Sequence, residues 1–335
     1  MFSNQAQVKD MAMSKIELLQ VGSYPDWVQA VLEQTYVMHR YFEVPQTAAG
    51  QAAADQAAFL ARVGGAIRGI ATRGDLGADA AMIAALPKLE VIAVYGVGYD
   101  GVDLAAAQAR GIRVTNTPDV LTGDVADLAV GMWLAGRRRM VEADAWARSG
   151  NWAAKGAFPI TRRAFGKSAG ILGLGRIGRA IGDRLQGFGM QISYTSRAAK
   201  ATPGWQHIEG AVALAEVSDV MFVALAATPD TRHIVDARVL AALGPDGMLV
   251  NISRAANVDE AALIAALRDG SLGAAALDVF DGEPAYDPAF QNVPNLLMQP
   301  HIGSGTLETR LAMAELMCDN LAAHFAGQPL LTPVI

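Results

Sequence analysis

The stretch ILGLGRIGRAIGDRL, residues 171–185, sets Gly173, Gly175 and Gly178 in the spacing G-x-G-x-x-G. An apolar run precedes the turn and an amphipathic run follows it. That strand–turn–helix context separates a dinucleotide-binding turn from a chance match in a glycine-rich chain. Gly173 suits the tight turn, Gly175 lets backbone approach a pyrophosphate, and Gly178 lets helix and strand pack closely. The first helical N–H groups, at Arg176, Ile177 and Gly178, then face the anion with the positive end of the helix dipole behind them. A glycine-rich turn without a ligand is the weaker reading.

Working outward, short apolar runs alternate with helical patterns nearly throughout, the signature of an α/β protein with parallel sheets. Before the glycine turn, strands are expected at 16–21, 66–72, 91–95 and 113–115, with helices at 26–33, 78–86 and 102–110. A long helix is expected over 122–148, carrying Arg137, Arg138 and Arg139, and a loop over 149–168 follows it. The second series predicts strands at 169–172, 191–195, 220–224, 248–252, 274–279 and 296–299, closed by a helix over 307–325. The simplest parse is two domains joined near 115–119, with the terminal helix crossing back to the first. Residues 1–115, completed by 300–335, form one domain and 116–299 the other.

At 335 residues the length also favours about two domains. Hydrophobic residues make up 52% and charged ones 18%, enough for a large core and too few charges for wholesale disorder. The net charge of −6 comes with no basic block, which argues against nucleic-acid and membrane-surface partners. No apolar run is long and charge-free enough for a membrane span. Cys318 is the single cysteine, so no intrachain disulfide and no cysteine zinc site is possible, and no metal is called. Together with an N-terminal stretch lacking an apolar signal core, this predicts a cytoplasmic protein.

Three more stretches place polar groups just past strands of the second series, where open α/β sheets bind ligands. They are VNISRAANVDE (250–260), ALDVFDGEP (276–284) and QPHIGSGT (299–306), contributing Arg254, Asp278, Glu283 and His301. With VYGVGYDGVD (94–103) and NTPDVLTGDVADLAVG (116–131), they resemble the D-isomer-specific 2-hydroxyacid dehydrogenase family over roughly residues 66–309. Within it the likeness is nearest to the glyoxylate/hydroxypyruvate reductases. The resemblance implies a Rossmann-type doubly wound parallel sheet for the dinucleotide and a flavodoxin-like α/β substrate-binding domain. It assigns His301 as the acid–base residue, Glu283 as its partner and Arg254 as the substrate anchor.

Chemistry supports those roles. Hydride reduction of a ketone needs a proton for the developing alkoxide, which a histidine supplies near neutral pH. A carboxylate on its other ring nitrogen orients the imidazole and favours its charged form. Arginine grips a substrate carboxylate bidentately and polarises the reacting carbonyl. By resemblance, Val97 and Gly98 offer backbone N–H groups to the same carboxylate. The resemblance also implies that Thr122, Thr228, Pro229, Ile252, Asp278, Gly303 and Ser304 line the cofactor, with Asp278, Gly303 and Ser304 toward its nicotinamide end. The substrate is expected in a cleft between domains. Two positions depart from the family pattern: Ala255 for a usual glycine, and Asp281 for a common glutamate.

The cofactor is read from ISYTSRAAK, residues 192–200. NAD-selecting sheets carry an acid about 20 residues past the glycines, bound to the ribose 2′-hydroxyl. Here Ser196 stands at that position, with Arg197 and Lys200 able to pair with a 2′-phosphate. NADP(H) is therefore predicted, and with it reduction of a 2-keto acid.

Glyoxylate and hydroxypyruvate lead as substrates, and aromatic 2-keto acids stay open. Glu283 stands where formate enzymes of this family carry glutamine, and no regulatory domain of the phosphoglycerate-enzyme kind is recognisable. A dinucleotide-sensing corepressor-like scaffold is the rival from another class. The resemblance implies a homodimer through 122–148 and the following loop, with Trp152 a candidate to reach a neighbouring site. His39, His207, His233 and His324 lie in no motif, and a surface or packing role is expected for each. Arg137–Arg139 are expected on a solvated or ion-pairing face, and Trp146 in packing.

Overall fold

A computed structural model describes residues 15–44 and 49–335, and the chain divides into two compact units. The first comprises residues 1–117 and 313–335, the second 118–312.

In the first unit, β1 (Glu17–Gln20), β2 (Val37–Arg40), β3 (Ile67–Arg73), β4 (Val91–Tyr95) and β5 (Arg113–Thr115) form one sheet in the order β2-β1-β3-β4-β5. All its pairings are parallel, and the order is that of a flavodoxin-like sheet. The edge strand β2 was not expected from sequence. Its side chains are half-exposed and lack an alternating pattern, and it is held to β1 by register and by His39 Nε2 at 2.7 Å from Glu17. The helix Ala49–Val63 likewise falls in a stretch with no sequence assignment. Parallel strands covered on both faces read as unbroken apolar runs, and β4 is buried at all five positions.

The second unit carries β6 (Ser168–Leu172), β7 (Gln191–Thr195), β8 (Gln206–His207), β9 (Val220–Val223), β10 (Met248–Asn251), β11 (Ala274–Leu277) and β12 (Leu296–Met298). These pair in parallel in the order β8-β7-β6-β9-β10-β11-β12, the doubly wound Rossmann arrangement. The chain order reverses between β6 and β9, which opens a crevice at their carboxyl ends. Helices on the sheet start where sequence chemistry starts them. The carboxylates of Asp236 and Asp259 accept first-turn N–H groups of the helices Ala237–Leu243 and Glu260–Asp269.

Three expectations are corrected here. The long helix over 122–148 is two helices, Thr122–Arg137 and Met140–Arg148. The Arg139 N–H bonds to Gly136 C=O, a tightened last turn, and Arg139 then takes a left-handed backbone with φ 49°. Arg137 is buried rather than solvated, its Nη1 donating to Asp246 C=O at 2.6 Å. The second boundary falls at 312/313 rather than 299/300. Residues past His301 are tied to the second unit: Ile302 and Gly303 N–H bond to Asp278, and the Thr306 and Thr309 hydroxyls to Asp124.

Candidate active site

The glycine turn joins β6 to the helix Arg176–Gln186. Gly173 has φ 102°, and a Cβ there would lie 2.7–2.8 Å from Leu225. A Cβ on Gly178 would meet the Gly173 carbonyl oxygen at 2.1 Å, so the helix packs on the turn only without a side chain. A Cβ on Gly175 would meet nothing within 4 Å. Two glycines are thus demanded by the protein's own backbone, while the third faces open space at a helix N-terminus, as anion binding requires. Arg176 pairs with Asp119 at 2.6 Å, tying the turn to the loop before Thr122.

Past β7, Ser196 Oγ donates to Ala198 C=O at 2.6 Å, closing a turn. Lys200 Nζ reaches back to Leu174 C=O at 2.6 Å, which sets a cation at the rim of the glycine turn. Arg197 is exposed, and its guanidinium has no protein partner among the described residues. No acid stands on this turn; the residues present suit a 2′-phosphate and would not repel one.

His207, expected in a surface or packing role, packs against Tyr194. Its Nε2 lies 3.1 Å from the Ser196 carbonyl oxygen, behind that turn. His324 and His39 do pair with nearby carboxylates, Glu90 and Glu17, away from any motif.

Arg254 follows β10 on a loop whose backbone is fixed from inside. Asn251 Nδ2 donates to Arg254 C=O at 3.0 Å, and Asn251 Oδ1 accepts from the Ser253 N–H and hydroxyl. Asn257, fully buried, donates to Ser253 Oγ at 3.0 Å and to Leu225 C=O at 3.2 Å. Ala255 opens the 3-10 turn Ala255–Asn257 without a left-handed backbone, so its methyl group strains nothing. Sequence reading missed this asparagine pair, although Asn251 and Asn257 flank Arg254 at −3 and +3. Thr228 and Pro229 lie in a capped 3-10 turn past β9, and Ile252 is buried just past β10.

His301 Nδ1 lies 2.6 Å from Glu283 Oε2. The other Glu283 oxygen accepts the Phe280 N–H at 2.8 Å, which aims the carboxylate. His301 itself has φ 54°, a left-handed backbone unusual for a residue with a side chain. Asp278 holds it there. This carboxylate, 2% exposed, accepts the N–H groups of Ile302 and Gly303, each at 2.8 Å. Burial pushes its pKa up, while those two N–H bonds pull it down. Each Asp278 oxygen therefore takes part in positioning the histidine loop.

Glu260 was also missed. Its Oε1 accepts the Asp281 N–H at 2.9 Å, bracing the loop that carries Glu283. Burial first, and the charges of Asp281, Asp287 and Glu283 after it, raise the Glu260 pKa.

In the first unit, Val97 and Gly98 follow β4. Asn116 Nδ2 donates to Val97 C=O at 2.8 Å, and Gly74 leaves room for Gly98: a Cβ on Gly74 would sit 2.2 Å from the Gly98 oxygen. Trp152 is 68% exposed, and Trp146 Nε1 donates to Gly156 C=O.

Comparison with known proteins identifies the family of the chain. Residues 130–303 match the family described as D-isomer specific 2-hydroxyacid dehydrogenase, NAD binding domain. Hydroxyphenylpyruvate reductase of Plectranthus scutellarioides is 44% identical over 323 residues, covering 96% of this chain and all of that protein. Among solved structures, a 2-hydroxyacid dehydrogenase from Ketogulonicigenium vulgare Y25 is 60% identical with a TM-score of 0.87, covering 96% of this chain and 99% of the other. The NADPH-dependent glyoxylate/hydroxypyruvate reductase of Sinorhizobium meliloti, in complex with NADP and malonate, is 38% identical with a TM-score of 0.85, covering 96% and 97%. With a Rossmann sheet, a buttressed glycine turn and a histidine–glutamate pair at the strand ends, the chain belongs to the D-isomer specific 2-hydroxyacid dehydrogenase family.

Proposed function

We propose that this enzyme is an NADPH-dependent reductase of small 2-keto acids, with glyoxylate or hydroxypyruvate converted to the D-2-hydroxy acid. The observation that carries this is the His301–Glu283 pair at 2.6 Å, on the same sheet as a phosphate-binding turn flanked by cations rather than an acid. The bound nicotinamide supplies the hydride. Glu283 occupies Nδ1 of His301, so the proton leaves from Nε2 to the alkoxide developing on the substrate. The Glu283 carboxylate stabilises the imidazolium before that transfer. Arg254, held by its asparagine-braced loop, grips the substrate carboxylate and polarises the ketone. Val97 and Gly98 are proposed, from the resemblance, to offer backbone N–H groups to a carboxylate. Gly173, Gly175, Gly178 and the following helix N-terminus hold the pyrophosphate, and Ser196, Arg197 and Lys200 the 2′-phosphate.

Support for the substrate class comes from the Sinorhizobium meliloti reductase, and support for NADPH from its bound NADP. The hydroxyphenylpyruvate reductase relative favours aromatic 2-keto acids as the second reading. A panel of glyoxylate, hydroxypyruvate and hydroxyphenylpyruvate, each with NADPH and NADH and followed at the nicotinamide absorbance, separates them. Arg197→Asp is expected to lower kcat/KM for NADPH on the order of a hundredfold through loss and reversal of a phosphate contact. A wild type that prefers NADH overturns the cofactor reading.

A homodimer is part of the same reading. Met140, Val141, Trp152, Ile160 and Phe165 are all exposed along one stretch of the second unit. Light scattering at a mass near 35.2 kDa, the monomer, would refute it. A cytoplasmic location rests on the single cysteine, which suits a reducing compartment. No helix among the described residues is long and apolar enough to cross a membrane.

A further inference from the structure

The turn that bears Ser196, Arg197 and Lys200 is closed from behind by two aromatic side chains. Tyr194, on β7, is 1% exposed. Its hydroxyl accepts the Lys200 N–H at 2.7 Å and donates to the Lys200 C=O at 3.1 Å. His207, on β8, sits beside it because the parallel register pairs Tyr194 with His207. The two ring centroids are 5.2 Å apart, and His207 Nε2 lies 3.1 Å from the Ser196 carbonyl oxygen, so its N–H donates there. Thr195 Oγ1 donates to Ile208 C=O at 2.8 Å and locks the ends of the two strands together. The turn is therefore pinned at its first residue by the histidine and at its last by the tyrosine. Both pins act on backbone, so neither uses up a side chain that faces outward.

We propose that the Tyr194–His207 pair is a positioning device for cofactor selectivity, holding the turn so that Arg197 and Lys200 present their charges at the spacing of a ribose 2′-phosphate. The inference rests on the NADPH reading above. An unpinned five-residue turn would have to be ordered by the phosphate itself, and that ordering cost would come out of the binding free energy. Two long cationic side chains add rotamer entropy to that cost, and Lys200 offsets part of it by donating to Leu174 C=O in advance. A ligand without the 2′-phosphate makes no call on the turn and should not register its loosening.

The test compares two adenine nucleotides that differ only in that phosphate, adenosine 2′,5′-bisphosphate and 5′-AMP, by titration calorimetry on the full chain. Tyr194→Phe keeps the ring and removes both hydrogen bonds to Lys200. It is expected to weaken the bisphosphate about tenfold and to leave 5′-AMP within about twofold. KM for NADPH should rise while kcat at saturating NADPH holds. His207→Gln, which keeps an N–H donor near the same place, should recover most of the selectivity that His207→Phe loses. Where Tyr194→Phe fails to fold, His207→Phe, with its ring stack intact, carries the same expectation. A wild type that binds both nucleotides alike overturns the NADPH reading and this inference with it. A wild type that favours the bisphosphate, with variants that weaken both ligands equally or neither, overturns this inference alone.

Discussion

The two units each carry an open parallel sheet with a point where strand order reverses, between β1 and β3 in the first and between β6 and β9 in the second. Topology alone would make both crevices ligand sites. In the first, the chain fills its own crevice. Gln20, fully buried at the end of β1, donates to Gly22 C=O and to Gln29, and Tyr24 is buried in the same turn. Pro25, without an N–H, stands at the start of the helix Asp26–Thr35. In the second, the equivalent turn is stripped to glycine, and Gly175 opens on empty space. A fold thus sets where a ligand could lie; the side chains in the first turn decide whether anything can.

Three experiments strain that contrast, and the chemistry of the second unit gives the largest expected effect. His301→Asn should cut kcat roughly a hundred- to ten-thousandfold, the usual worth of a positioned acid, with cofactor affinity unchanged in a fluorescence titration. Turnover that survives the change would mean the proton comes from elsewhere. The turns themselves come next. Gly175→Val should lower NADPH affinity on the order of a hundredfold with little change in melting temperature, because the added atoms enter only ligand space. Gly22→Ala in the first unit should touch stability alone. Its methyl group would meet the exposed Leu76 side chain at 2.7 Å, which can turn aside, costing about 0.5 kcal/mol or less in denaturation with no effect on cofactor binding. If both substitutions affect affinity alike, the first crevice is not the filled one described here.

A similarly small effect concerns Asp124, which the Thr306 and Thr309 hydroxyls hold below the ordinary carboxylate range. A depressed folded pKa means stability present above the unfolded value, about 3.9, and lost as pH falls through the lower folded one. Asp124→Asn should therefore flatten that part of the stability–pH curve, by about 1 kcal/mol or less after solvent screening. Urea melts at pH 7 and pH 3 would show it; an unchanged acid limb would discount the clasp.

The alternation of apolar runs and helical stretches, and the glycine spacing, made the two-sheet α/β architecture legible in the sequence. That Arg254, Glu283 and His301 lie on the loops past β10, β11 and β12 was legible too. What escaped reading depends on contacts between residues far apart in the chain. Nothing local in VMHR announces β2, since an edge strand with half-exposed side chains has no period to detect. Nothing local shows that the Asp278 oxygens also accept backbone N–H groups 24 and 25 residues away. His207 gained a part only because β8, two residues long, set it beside Tyr194. Arg139 looked like one more helix former, until the tightened turn behind it ended the helix.

The left-handed backbone at His301 bears on how the enzyme can be altered at all. Asparagine visits that conformation readily, whereas β-branched side chains meet steric cost there before any chemistry is considered. A library randomised at this position would sort first by backbone tolerance and only second by proton transfer. Loss of function in a valine or isoleucine clone would report on loop geometry, and asparagine or glycine would be the fair controls. The buried grip of Asp278 on the next two N–H groups thus narrows which replacements are informative, as well as where the imidazole points.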